Sequence, residues 1–297
     1  METNQTVHQP DFTLSVKENQ IPDIYLKKFS IIIPAYNEEK RISPVLNDIC
    51  RFVSENKLPW EVIVSIDGND GTEKLVEQMT AKFPFLTYIR GNGRNGKGGA
   101  IKRAIKTAAG EYFILMDADN SISFTDVLSG IPEMEDNDVV ILERYSSGRN
   151  HIPFLRRFAS RGFNILVQAM LGLRVEDTQS GYKIMDAELA RKSFDSMTVT
   201  NTFYDVALLY KIKQLGGRIA ERPVLYSHDG ESKFNVVSEV LGQGISLLAF
   251  RIRYSPVYRH IPESLKNLYY RKFRPEYDLK GAVDKMFQKY LSEKNTD

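Results

Sequence analysis

Two carboxylates one residue apart, Asp117 and Asp119, close the stretch EYFILMDADNS at residues 111–121. Hard oxygen ligands at this spacing suit Mg2+ or Mn2+, and such an ion in turn takes the oxygens of a diphosphate. The pair also has plainer uses, one acid capping the next helix and the other standing in solvent. Upstream, the turn GNGRNG at 91–96 leads into Lys97. Backbone N–H groups at a helix N-terminus, with a lysine beside them, suit anionic oxygens. Asp67 ends another apolar run, WEVIVSI, and PAYNEE at 34–39 follows a third, FSIII. The residues able to do chemistry therefore sit where apolar runs stop.

Those runs are the elements that must position them. Tyr112–Met116, before Asp117, reads as a buried parallel strand. Three earlier strands are predicted at Phe29–Ile33, stopped by Pro34, at Trp60–Ile66 and at Leu86–Ile89. Between them, Ile42, Val45, Leu46, Ile49, Phe52 and Val53 keep a helical period, and helices are also predicted over 72–82 and Ile101–Ala108. This alternation predicts an α/β fold, a mainly parallel sheet with helices on both faces. Ligands of such sheets sit just past the carboxyl ends of the strands. A fifth strand at Asp138–Leu142, a long helix at Phe154–Leu171, a loop and short strand in DTQSGYKIMD, helices at Ala187–Phe194 and Phe203–Leu215, and a strand at Arg218–Val224 complete the pattern.

The expected organisation is an N-terminal extension at 1–27, strapped on by Ile21, Ile24, Tyr25 and Leu26, a main domain at 28–238, and amphipathic, basic helices at 239–297. In Glu239–Arg253 the polar Glu239, Gln243, Ser246 and Arg253 share one face, and Leu241, Ile245, Leu248 and Ile252 share another. In the last helix Val283, Met286, Phe287, Tyr290 and Leu291 form the apolar face.

With 297 residues, 42% hydrophobic and 26% charged, the composition is that of a globular protein. The net charge of +2 argues against a nucleic-acid partner, but it is unevenly spread. Residues 251–274 carry +6 and the remainder −4. A basic segment suits an anionic surface or phosphate, and equally a solvated face. One cysteine, Cys50, excludes an internal disulfide framework and fits a reducing compartment. No run reaches transmembrane length, and the polar first 20 residues lack a signal-peptide core.

Two familiar motifs compete for the glycine-rich turn. Gly91, Gly93 and Gly96 fit the dinucleotide fingerprint GxGxxG, with Asp117 about 20 residues on as a ribose acid. A nicotinamide-dependent oxidoreductase is therefore one alternative. Against it, two βα units precede the turn, Asp119 has no ribose role, and Arg94 and Lys97 add charge to a motif that relies on bare backbone. A P-loop is rejected because Gly98 stands where Ser or Thr should hold magnesium.

PAYNEE, Asp67, GRNGKGGA and Asp-Ala-Asp, in that order, resemble family 2 glycosyltransferases of the GT-A fold. ERYSSG, LRRFASR, DTQSGYK and GESKF continue the likeness to polyprenyl-phosphate sugar transferases over roughly residues 29–255. The resemblance implies that Pro34, Ala35, Tyr36, Asn37, Glu38 and Asp67 line the nucleotide, and that Lys97 faces the diphosphate. It makes Asp117, Ala118 and Asp119 a DXD element, with Asp119 the principal metal ligand. It gives Arg144, Arg156, Ser160 and Lys233 to an acceptor phosphate, and Asp177, Gln179, Ser180 and Gly181 to the loop beside acceptor and sugar.

The mannosyl branch has DPTSG, a Gln after the DXD and an Arg before GESK, where this chain has DTQSG, Ser121 and Ser227. These departures favour a UDP-sugar, UDP-glucose or UDP-GlcNAc, over GDP-mannose. The implied reaction is metal-dependent and inverting, with polyprenyl or dolichyl phosphate as acceptor. An anionic phosphate needs no general base. A hydroxyl acceptor, on a glycan or a soluble molecule, would need one, and Asp177 and Asp205 are the candidates. A lipid acceptor further implies peripheral contact with the cytoplasmic face of a membrane, through helix 239–253 and the basic segment, unless the C-terminal helix serves a homodimer.

Overall fold

The computed structural model describes residues 21–93, 95–146, 154–197, 199, 201, 203–227 and 236–255, with His260, Pro262 and Ser264. Lys233, His228, most of the basic segment and the last helix lie outside the described residues, as do the side chains of Arg156 and Leu241.

Seven strands form one sheet: β1 Phe29–Ala35, β2 Glu61–Ile66, β3 Leu86–Arg90, β4 Tyr112–Leu115, β5 Val139–Glu143, β6 Lys183–Asp186 and β7 Ile219–Pro223, in the order β3-β2-β1-β4-β6-β5-β7. All pairings are parallel except those of β6, which runs antiparallel to both β4 and β5. The helices are α1 Ile42–Glu55, α2 Thr72–Thr80, α3 Gly96–Ile105, α4 Phe124–Ser129, α5 Phe154–Leu171, α6 Ala187–Asp195, α7 Tyr204–Gln214 and α8 Val236–Arg253. The short α4, N-capped by Ser123 accepting from Asp126 N–H, is an element the periodicity did not predict.

Two cores follow from the pleat. Strand side chains alternate, so Ile31, Ile33, Val62, Val64, Ile114 and Val140 face α1, α2 and α4. Ile32, Ile63, Phe113, Leu115, Val139 and Met185 face the layer of α3, α5, α6, α7 and α8. The N-terminal strap is held by Tyr25, whose hydroxyl donates to Leu128 C=O at 2.8 Å and whose carbonyl accepts from Trp60 Nε1 at 2.9 Å. Ile24 is buried with it, whereas Leu26 is exposed.

Pro34 does not stop β1. Ile32 bonds toward β4 through Met116 N–H, and Ala35 toward β2 through Asp67 N–H. Two residues past Ile32, the Pro34 nitrogen lies on the β4 side, where β4 has already ended, so its missing donor costs no ladder bond. There β1 and β4 part, and the order 3-2-1-4 reverses direction at that point, which is where open α/β sheets bind ligands.

Helix α8 turns its polar stripe inward and its apolar stripe outward. Gln243 and Ser246 are buried, with Leu247 and Phe250, while Ile245, Leu248 and Ile252 are exposed. The aromatic knob at Phe250 decides this: it packs on Phe203, Tyr210 and Tyr254. Ser246 satisfies its hydroxyl within the helix, donating to Gly242 C=O at 2.8 Å, so its burial is cheap. Helix α5, packed on α8, buries Phe163 and Val167 and exposes Ile165 and Leu166.

Candidate active site

Every strand but β6 ends at the same edge of the sheet, and β6 begins there. That edge gathers the loops at 36–41, 67–72, 91–95, 116–123, 144–146, 177–182 and 224–227. All the motif residues predicted within the described chain lie on this rim or, for Arg156 and Ser160, on α5 beside it.

The first two loops interlock. Asn37, left-handed at φ 59°, accepts from Asn69 N–H at 3.1 Å. Gly68 lies so close that a Cβ there would overlap the Asn37 side chain and amide. Glu39 accepts from Gly71 N–H at 3.1 Å, and Glu38 forks onto Arg41 through two 2.9 Å bonds. Asp70, one residue before the N-cap Gly71, is the acid at the entry to α2 and accepts from Thr72 N–H at 3.0 Å. Asp67 is thereby excused from capping that helix. It accepts instead from Asn95 N–H at 2.9 Å and from Arg103 at 2.6 Å. Arg103, from α3, also reaches Ser65 at 2.8 Å and so fixes Asp67 from behind. Tyr36 is exposed at the tip, while Pro34 and Ala35 form the end of β1.

Asp117, Ala118 and Asp119 leave β4 as a turn completed by left-handed Asn120. Lys97, at the start of α3, makes an ion pair with Asp117. Both side chains are about a quarter exposed, so the pair opens to the rim. Burial works against the charge on Lys97, but Asp117, then Asp205 and Asp119, outweigh it and raise its pKa above the usual lysine value. Gly181 closes over this pair, and a Cβ there would overlap the Asp117 carboxylate. Glu38 shares the same field: burial raises its pKa, Arg41 opposes that, and Asp119 and Asp117 push it further up.

The second half of the rim is built differently. Arg144 follows β5 and grips Asp177 through Nε at 2.7 Å and Nη2 at 2.9 Å. Its guanidinium lies 5.5 Å from the rings of both Tyr145 and Tyr226. Burial opposes that charge, but Asp177 more than offsets it, and the pKa lies well above the ordinary arginine value. Lys183 is fully buried, bonded to Asp205 and to Ser180 C=O. Ser180 itself donates to Leu142 C=O at 2.7 Å, so its hydroxyl ties the loop to β5 and faces away from the rim. Gln179 stays half-exposed, its N–H donating to Asp177 at 3.3 Å. On α5, Ser160 is half-buried, and Arg157, the neighbour of the predicted Arg156, reaches back to Tyr145 C=O at 3.2 Å.

Asp117 and Asp119 are hard oxygen donors on one turn, and among the described residues no third His, Cys, Asp or Glu joins them in a metal-binding cluster. Two carboxylates with the remaining positions left to phosphate and water is the donor set Mg2+ commonly takes. The residues therefore fit a divalent ion carried with a diphosphate. Sequence reasoning missed Arg103, Asp70 and Lys183. Asp70 was legible as Asp two residues before a helical Thr, but the others act through side chains that no motif spacing links.

The fold and this rim define a GT-A glycosyltransferase. The profile of glycosyl transferase family 2 matches residues 30–194, more than half of the chain, and the chain belongs to that family. It is 32% identical over 262 residues to a dolichyl-phosphate β-glucosyltransferase of Dictyostelium discoideum, covering 82% of this chain and 78% of that one. A human protein of the same description is 29% identical over 271 residues, covering 82% of each. Among solved structures, glucosyl-3-phosphoglycerate synthase of Mycobacterium tuberculosis with Mn2+ and UDP-glucose superposes with a TM-score of 0.58 at 18% identity, over 82% of this chain and 84% of that one. That likeness is one of fold. The glycine-rich turn accordingly belongs to a sugar transferase, and the oxidoreductase alternative falls.

Proposed function

We propose that this glycosyltransferase moves glucose from UDP-glucose to the phosphate of a polyprenyl or dolichyl lipid, with inversion and with Mg2+ or Mn2+ as cofactor. The observation that carries the choice of acceptor is the state of the two candidate bases. Asp177 is forked onto Arg144, and Asp205 is bonded to a fully buried lysine. Carboxylates so engaged are poor proton acceptors for a hydroxyl. A phosphate oxygen is already anionic and asks for cations.

In this reading the uracil and ribose lie along Tyr36, Asn37, Glu38 and Asp67, with Asp67 held in place by Arg103. Lys97 places positive charge at the leaving diphosphate, and the α3 N-terminus adds to it. Arg144, its plane set by Asp177 and two tyrosines, orients the acceptor phosphate for attack on the anomeric carbon from the side opposite the diphosphate. Arg156, Ser160 and Lys233 complete the acceptor side.

The preference for UDP rests on DTQSG, Ser121 and Ser227, and is supported by the glucosyl relatives. Thermal-shift titration with UDP-glucose, UDP-GlcNAc, GDP-mannose and NAD, each with and without Mn2+, tests it. A Mn2+-dependent shift with UDP-glucose above the others is expected; an equal or larger shift with GDP-mannose would overturn the donor assignment.

The lipid acceptor requires a membrane contact. Among the described residues no helix is long and apolar enough to span a bilayer. Helix α8 exposes Ile245, Leu248 and Ile252 and carries Arg251 and Arg253 in its last turn, and α5, which packs on it, exposes Ile165 and Leu166. We place this surface on the cytoplasmic leaflet. Ile245→Glu with Leu248→Glu should abolish flotation with anionic liposomes at low salt; unchanged flotation would move the contact elsewhere.

A further inference from the structure

The hydroxyl of Tyr182 has no part in the account above, yet it is buried at the centre of the rim. Its ring is 1% exposed and packs in the core beneath the Asp117–Ser121 turn. A phenol so placed needs polar partners, and this turn supplies them. The oxygen lies 3.4 Å from Asp119 Oδ1, 3.5 Å from Asp117 C=O, 3.4 Å from Ser121 Oγ and 3.4 Å from Ile122 N. Its one proton points to the two acceptors of Asp117 and Asp119, while Ser121 and Ile122 donate to it. Ser121 N–H also donates to Asp119 Oδ1, at 3.1 Å. Asp119 Oδ1 thus receives from a backbone amide and from the phenol together.

We propose that Tyr182 is a positioning residue for the metal-binding carboxylate of Asp119, acting with Ser121 to hold the plane of that carboxylate toward the diphosphate site. This rests on the metal reading given above. The individual bonds are long, so the hydroxyl contributes orientation more than attraction. Their number is the point, because four groups of one turn converge on a single oxygen that the core holds rigidly. Tyr182 also adjoins Gly181, which packs on the Lys97–Asp117 pair. One short segment, Gly181-Tyr182, therefore touches both carboxylates of the turn. Partners that orient metal ligands commonly change metal affinity by about ten- to a hundredfold when removed.

The test is Tyr182→Phe, which keeps the ring and removes the oxygen. Mn2+ affinity in the presence of UDP, read from the electron paramagnetic resonance signal of free Mn2+, should fall about tenfold. UDP affinity without metal should stay within about twofold, and kcat at saturating Mn2+ should fall less than the metal requirement rises. Ser121→Ala should show a smaller loss of the same kind. Mn2+ affinity within twofold of wild type would overturn the proposal, as would an equal loss of metal-free UDP binding, which would mean a loosened rim. Asp119→Asn separates the two levels. If it also leaves Mn2+ affinity intact, the metal reading itself fails; if it abolishes Mn2+ binding while Tyr182→Phe does not, the positioning role alone fails.

Discussion

The two halves of the rim treat their charges in opposite ways. On the donor side, Asp117 and Lys97 pair at about a quarter exposure, and Asp119 is likewise only partly buried. On the acceptor side, Asp177 and Asp205 are buried and each is matched with a buried or nearly buried cation, Arg144 or Lys183. An open pair can be rearranged by a ligand at little cost, since exposed ion pairs contribute about 0–1 kcal/mol. A buried pair is fixed, because stripping one partner leaves an uncompensated charge that costs about 3–5 kcal/mol. In the reading we propose, the donor half accepts an ion and a diphosphate, while the acceptor half stays as it is and presents Arg144. The lesson is that equal carboxylate counts do not mean equal chemistry. Burial and partner decide which acids act and which build.

The largest break in that contrast comes from Asp119→Ala. Transfer should fall by about 10³-fold or more, the scale of losing the main electrostatic anchor of a transition state, about 4 kcal/mol. The thermal midpoint should barely move, and a circular-dichroism melt alongside the assay checks both. Asp205→Ala inverts the pattern: stability should drop by about 3–5 kcal/mol through the stranded Lys183, read as a shifted urea midpoint. Asp117→Asn, in the open pair, should cost about 1 kcal/mol at most by the same measurement. If the two substitutions destabilise equally, the division between halves is wrong.

A finer probe is Arg144→Lys, which keeps the charge over Asp177 but loses the fork. The acceptor KM should rise about tenfold, roughly 1.4 kcal/mol, while the donor KM stays within about twofold. Equal changes in both would remove Arg144 from the acceptor side. The smallest effect concerns Cys50, fully buried on the inner face of α1, whose thiol burial pushes up to about 12. It should resist a thiol reagent at neutral pH in the folded protein and react at once in denaturant, whether or not UDP and Mn2+ are present.

The donor half was largely legible in the sequence because each of its site residues lies within a few positions of a strand end. FSIII, WEVIVSI and YFILM announce strands, and the acids and glycines follow directly. The strand boundaries moved by a residue or two, and Pro34 was read as the stop of β1 because the sequence does not show where β4 ends. The acceptor half was less legible. The antiparallel β6 is four residues long and carries a buried lysine, which weakens its apolar signal. The pairing of Lys183 with Asp205 spans 22 positions and two elements, and that of Arg144 with Asp177 spans 33. The orientation of α8 was not legible, because its periodicity does not show that one aromatic, Phe250, meets a cluster of three others.

The claim at the centre of this account is transfer to a lipid phosphate without a general base. The most direct measurement incubates the full chain with UDP-glucose and Mn2+ in detergent micelles containing either a polyprenyl phosphate or the matching free polyprenol, and identifies lipid products by mass spectrometry. The account predicts a polyprenyl-phosphate glucose from the first, lost with chelator, and no glucosylated lipid from the second. Glucose on the free alcohol at a comparable rate would contradict it, because some carboxylate at the rim would then be accepting the proton.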